Sequence, residues 1–89
     1  MKTRYLEVTF RKGKPLAAYL YLPREPGAKS ARTELMGSGL LVDYQADGRP
    51  IGLEITAPDK VTLDQINGIL KRLNLPLLDP QELAPLQAA

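Results

Sequence analysis

Leu40-Leu41-Val42-Asp43-Tyr44-Gln45-Ala46-Asp47-Gly48-Arg49-Pro50-Ile51-Gly52-Leu53-Glu54-Ile55 reads as a strand, a tight turn and a second strand whose register the residues themselves can check. Asp47-Gly48 suits the positive φ angles of a type I′ hairpin turn better than almost any other pair. With that turn at the tip, Tyr44 faces Ile51, Val42 faces Leu53 and Leu40 faces Ile55, so these six apolar residues share one side of the pleat. On the other side Asp43 lies opposite Gly52 and Leu41 opposite Glu54. A slip of one residue would put carboxylates among the aliphatics, so pattern and turn chemistry agree on one register. The stretch supplies architecture and no reaction.

Working outward, Thr3 to Phe10 alternates, with Leu6, Val8 and Phe10 on one side and Tyr5, Glu7 and Thr9 on the other, the pattern of a half-buried strand. A second alternating run follows the basic turn Arg11-Lys12-Gly13-Lys14 and sets Leu16, Ala18, Leu20 and Leu22 opposite in facing to Ala17, Tyr19 and Tyr21. A loop over Lys12 to Lys14 pairs Phe10 with Leu16, Val8 with Ala18 and Leu6 with Leu20, and sets Tyr5 across from Tyr21. The side bearing Tyr5, Tyr19 and Tyr21 is then either covered by the rest of the chain or a partner surface, because an uncovered aromatic patch is unusual on a monomer.

Pro23 to Ser30 mixes Pro, Gly and charge and reads as an exposed loop. A short strand over Ala31 to Met36 and a turn at Gly37-Ser38-Gly39 lead back to the opening hairpin. Beyond it, Thr62 and Gln65 fit a capping box, and Leu63, Ile66, Ile69, Leu70 and Leu73 recur at helical spacing, predicting an amphipathic helix over Thr62 to Asn74. Gly68 interrupts it at a cost of about 1 kcal/mol relative to alanine, which implies close packing there or simple tolerance. In the tail, residues 75 to 89, Asp79 with Pro80 and Glu82 signals one more helical turn before Pro85. Leucines 75, 77, 78, 83 and 86 make this tail too apolar for a solvated terminus. It closes the core or reaches onto a second subunit.

At 89 residues the chain makes one small domain, which buries only about 60 to 65% of its unfolded surface, so association with another copy is a reasonable expectation. There is no cysteine and no histidine. That removes disulfides, thiolate chemistry, the usual general base and the commonest metal ligands. No apolar run resembles a signal peptide or reaches the ~20 residues of a membrane span, so a soluble, cytoplasmic protein is expected. The net charge of +2 hides an asymmetry: residues 1 to 35 carry eight Lys/Arg against three Asp/Glu, and residues 36 to 89 carry four against seven.

Asp43 and Glu54 form the best carboxylate pair, set diagonally on one face with about 7 to 8 Å between their backbone positions. They suit a cation or a substrate only if further carboxylates join them, and the polar outer face of a hairpin explains them more simply. Gly37-Ser38-Gly39 has the glycine content of a phosphate loop, but a strand follows it and no helix N-terminus is offered to an anion. Arg11, Lys12 and Lys14, joined by Lys2 and Arg4, are the candidate contact for an anion or a nucleic-acid backbone. Charged protection of an edge strand is the plainer account of them.

Ala31-Arg32-Thr33-Glu34-Leu35, Val42-Asp43-Tyr44, Asp47-Gly48-Arg49 and Ile51-Gly52-Leu53-Glu54-Ile55, with Pro15 and Leu20-Tyr21-Leu22 ahead of them, resemble the domain-of-unknown-function family 2283 over roughly residues 13 to 56. The family consists of small prokaryotic proteins, and the resemblance implies a strand leading into a V-D-Y-D-x-D-G-x-x-x-G-I-E-I hairpin. It brings no activity with it. Acidic positions of the family pattern are occupied here by Lys14, Leu16, Ala18 and Gln45.

The expected fold is α+β: a largely antiparallel, meandering sheet of four to five strands spanning residues 3 to 57, with the helix over 62 to 74 packed on its Leu6/Leu20/Val42/Leu53 face. The expected role is a non-enzymatic protein-interaction module, a homodimer needing no cofactor or metal, with Tyr5, Tyr19, Tyr21, Leu83 and Leu86 as interface candidates. The alternative is a small regulator that contacts nucleic acid or a toxin-like partner through its basic N-terminal half.

Overall fold

The computed structural model describes residues 3–37 and 39–87. Five antiparallel strands, β1 (Tyr5–Arg11), β2 (Lys14–Tyr21), β3 (Arg32–Gly37), β4 (Leu40–Tyr44) and β5 (Pro50–Ile55), form one sheet in the order β1-β2-β5-β4-β3. The expected meander therefore holds within β1-β2 and within β3-β4-β5, but not between them. The chain leaves β2, crosses to the far edge at β3, and works back until β5 closes against β2.

The β4-β5 hairpin has the expected pairs Leu40↔Ile55, Leu41↔Glu54, Val42↔Leu53 and Asp43↔Gly52, but Tyr44 lies opposite Pro50 instead of Ile51. The tip explains the shift. Gly48 N–H donates to the Gln45 carbonyl at 2.9 Å and Gln45 N–H to the Arg49 carbonyl at 2.8 Å. Gly48 alone has positive φ, at 92°, so the turn is a three-residue loop with a glycine bulge and not a type I′ turn. Asp47 holds this loop by accepting the Arg49 N–H at 2.9 Å. The type I′ requirement of two positive φ values is met instead at Lys12 (53°) and Gly13 (78°) in the first hairpin. There Leu6 pairs with Leu20 and Val8 with Ala18 as expected, and Phe10 pairs with Pro15, because Leu16 forms a bulge.

One buried cluster unites Ala18, Leu20 and Leu22 with Leu40, Val42, Tyr44, Leu53 and Ile55, with Ile66, Ile69 and Leu70 of helix α1 (Leu63–Arg72), and with Leu78, Leu83 and Leu86. The helix starts where its capping box places it: Gln65 N–H donates to Thr62 Oγ1 at 3.1 Å, and Thr62 N–H to Gln65 Oε1 at 2.9 Å. It ends two residues before the expected limit. Asn74 takes positive φ (59°), Leu75 N–H reaches the Leu70 carbonyl and Asn74 N–H the Lys71 carbonyl. Those two bonds form a Schellman stop, with Asn in the place usual for Gly.

The tail turns inward. Asp79 caps a 3-10 turn, Pro80–Leu83, that runs into α2 (Ala84–Gln87), so helical structure continues through Pro85, where the sequence suggested a stop. Asn67 clamps the approach by accepting the Leu78 N–H at 2.7 Å and donating to its carbonyl at 3.1 Å. Arg4 fastens the same segment to the start of β1. Its guanidinium donates to both Glu82 oxygens and to the carbonyls of Pro76 and Leu77. That bonding holds the Glu82 carboxyl below its ordinary range, despite partial burial acting the other way. Among the described residues no helix is long and apolar enough to cross a membrane.

Candidate interaction surface

Strand alternation gives the sheet a second face, turned away from the buried cluster, and the register fixes what lies on it. One row crosses all five strands as Tyr5, Tyr21, Gly52, Asp43 and Thr33, and the next as Glu7, Tyr19, Glu54, Leu41 and Leu35. Ile66, Ile69 and Leu70 of α1, with Leu83 and Leu86 of the tail, belong to the buried cluster and not to this face. Tyr5 is 50% exposed and Leu35 69%.

The three tyrosines meet here. Tyr5 stacks on Tyr21 with ring centroids 4.5 Å apart, and Tyr19 meets Tyr21 edge-on at 4.7 Å, the two arrangements that the aromatic quadrupole favours. Arg24 extends its guanidinium over the Tyr21 ring, 5.2 Å from the centroid, and donates to the Ile51 carbonyl. Tyr19 leans diagonally across β5 and donates its hydroxyl to Asp43 Oδ2 at 2.7 Å. Gly52 is what lets it pass, since a Cβ there would collide with the Tyr19 ring and hydroxyl. Thr33 donates to the other Asp43 oxygen at 2.5 Å, and Tyr21 donates to Glu7 at 3.2 Å. Burial, reinforced by the Asp43 carboxylate, pushes the Tyr19 phenol up to about 12. Tyr21 is raised as well, by burial first and by Glu7 second.

Asp43 and Glu54 do take the expected diagonal positions, but both Asp43 oxygens already accept hydroxyl bonds from Tyr19 and Thr33. Asp43 therefore organises the face. Among the described residues no three acidic side chains gather as a metal site would need. Leu83 and Leu86, the other interface candidates, are buried in the chain's own core, because the tail folds back between Arg4 and Asn67. Arg11, Lys12 and Lys14 are exposed at the tip of the first hairpin. Arg4 is drawn away from them by Glu82. Lys2 and Ser38, the latter in the glycine turn weighed as a phosphate loop, lie outside the described residues.

Three residues of this face were not singled out from the sequence: Thr33, Arg24 and Gly52. Gly52 carried a signal, since a glycine inside a strand marks close approach by another group. The other two depend on the strand order, which local pattern does not reveal.

A family model described as Protein of unknown function (DUF2283) matches residues 17–57, a segment of the chain that runs from β2 to just past β5. It covers nearly the stretch on which the sequence resemblance rests, and leaves β1, α1 and the tail outside. No curated protein and no solved structure matches the chain significantly.

Proposed function

We propose that this protein is a non-enzymatic protein-interaction module that works as a homodimer, with α1 covering one face of its sheet and the other face offered to a protein partner. The observation that carries the reading is the open face itself. The Tyr19 and Thr33 hydroxyls donate to Asp43 and the Tyr21 hydroxyl to Glu7, while the Tyr5 ring and Leu35 stay accessible. Such a surface is rigid and aromatic, the kind on which binding energy concentrates. Glu7 and Glu54 add negative charge, so the complementary partner carries aromatic or aliphatic groups beside Lys or Arg.

Two measurements test this. The mass in solution, by light scattering at low and high salt, is expected to be that of a dimer under both conditions, and a monomer at every concentration overturns the homodimer. Peptides selected from a displayed random library on the immobilised protein are expected to be basic and aromatic, and to lose binding to the Tyr5→Ser/Leu35→Ser variant. No enrichment, or binding indifferent to that variant, overturns the face as the contact surface.

The exposure of Arg11, Lys12 and Lys14 at one hairpin tip supports a second reading, contact with a nucleic-acid backbone or an acidic protein. It requires salt-sensitive binding that weakens in Lys12→Glu/Lys14→Glu. Unchanged binding removes it.

A further inference from the structure

The sheet ends in two edges of different character. Beside β1 the 3-10 turn and α2 pack close, whereas β3 is the terminal strand of the other edge. Every residue from Arg32 to Leu35 is exposed. An edge of this kind is a template for another strand unless charge or a bulge blunts it. β3 has a bulge only at its far end, between Leu35 and Gly37, and its charges are one Arg and one Glu two residues apart. They form an ion pair with each other, Arg32 to Glu34 at 2.9 Å, and Arg32 also rests on the Tyr44 ring, 4.1 Å from its centroid.

This spacing is self-complementary. Two β3 strands running antiparallel about a two-fold axis perpendicular to the sheet must pair residues of the same facing, which leaves few registers. Centring the axis on Glu34 sets Glu34 against Glu34 of the second copy. Centring it on Arg32 sets Arg32 against Arg32. Centring it on Thr33 sets Arg32 against Glu34 twice, Thr33 against Thr33, and Leu35 against Ala31. Opposite charges and Thr–Thr pairs both stabilise cross-strand neighbours, and like charges destabilise them.

We propose that two copies of the chain join edge to edge through β3 in the register centred on Thr33, making one ten-stranded sheet. The inference rests on the homodimer proposed above and specifies its contact. It also fits the composition of the open face better than face-to-face association does. Flush packing of two such faces would bury both copies of Glu54 near the middle, a cost not met unless each gains a cation. Edge pairing leaves Glu54 in solvent, and the two open faces lie side by side on the same side of the enlarged sheet. The ladder is short, so the dimer falls at the low end of interface sizes and dissociates on dilution into the micromolar range.

Charge exchange tests the register. Glu34→Arg alone and Arg32→Glu alone each set like charges together twice and raise the dimer dissociation constant by about tenfold or more. Mixing these two variants restores association as a heterodimer, and Arg32→Glu/Glu34→Arg in one chain restores the homodimer. Far-ultraviolet circular dichroism checks that each variant folds. Thr33→Cys, in a chain with no other cysteine, crosslinks to itself under mild oxidation. Leu35→Cys does not, since its copies stand about 14 Å apart in this register. A dimer that ignores the charge reversals, together with no crosslink in the Thr33→Cys variant, overturns the edge contact and leaves the homodimer standing. A wild-type chain that stays monomeric at every concentration overturns both.

Discussion

Gly52 and Tyr19 form the pair through which a local rule is broken for a reason. Glycine weakens a strand interior, yet here it clears the path along which Tyr19 reaches Asp43. Gly52→Ala is therefore expected to cost about 1–3 kcal/mol, the usual penalty of overfilling a packed site. The cost should shrink when Tyr19 is also Ala, a coupling that a double-mutant cycle in urea measures. The same phenol sets an alkaline limit. Folding favours its neutral form, because the folded pKa stands at about 12 against an ordinary 10.0. The stabilisation is fully present below pH 10 and is lost as pH rises from 10 to 12. Denaturation midpoints followed across that window should fall more steeply for the wild type than for Tyr19→Phe; parallel curves would refute the assignment.

Among the elements, legibility followed the range of the interaction. The β4-β5 register, the capping boxes at Thr62 and Asp79 and the β1-β2 pairing are set by neighbours a few residues apart, and pattern exposes them. Turn type was less legible. Both Asp47-Gly48 and Lys12-Gly13 end in glycine, and only the number of residues between the last paired positions separates a bulged loop from a type I′ turn. The candidate site was half visible: alternation put the three tyrosines together, but Thr33 joins them through Asp43 only once β5 docks on β2, and Arg24 reaches the Ile51 carbonyl by the same docking. Gly68 illustrates the choice left open by composition. A Cβ there would meet nothing within 4 Å, so no partner packs against it. Tolerance is the answer, and Gly68→Ala is expected to raise stability by about 0.5–1 kcal/mol in thermal or urea unfolding.

At the scale of the whole molecule, the tail decides how the core is closed. Leu83 is 2% exposed and Leu77 52%. Leu83→Ala should thus cost about 2–5 kcal/mol, and Leu77→Ala should stay within about 0.5 kcal/mol by the same urea measurement. The strand order carries a further consequence, for the way the chain reaches this state. β1-β2 and β3-β4-β5 are each built from adjacent segments and close over short loops. The seam between them, where Ala18 meets Ile55 and Leu20 meets Leu53, joins residues far apart in the chain. Loop-closure entropy for the whole sheet is concentrated in that one docking event. Folding speed is then governed by the seam strands β2 and β5, and the segment that the family model matches begins in one of them and ends just past the other.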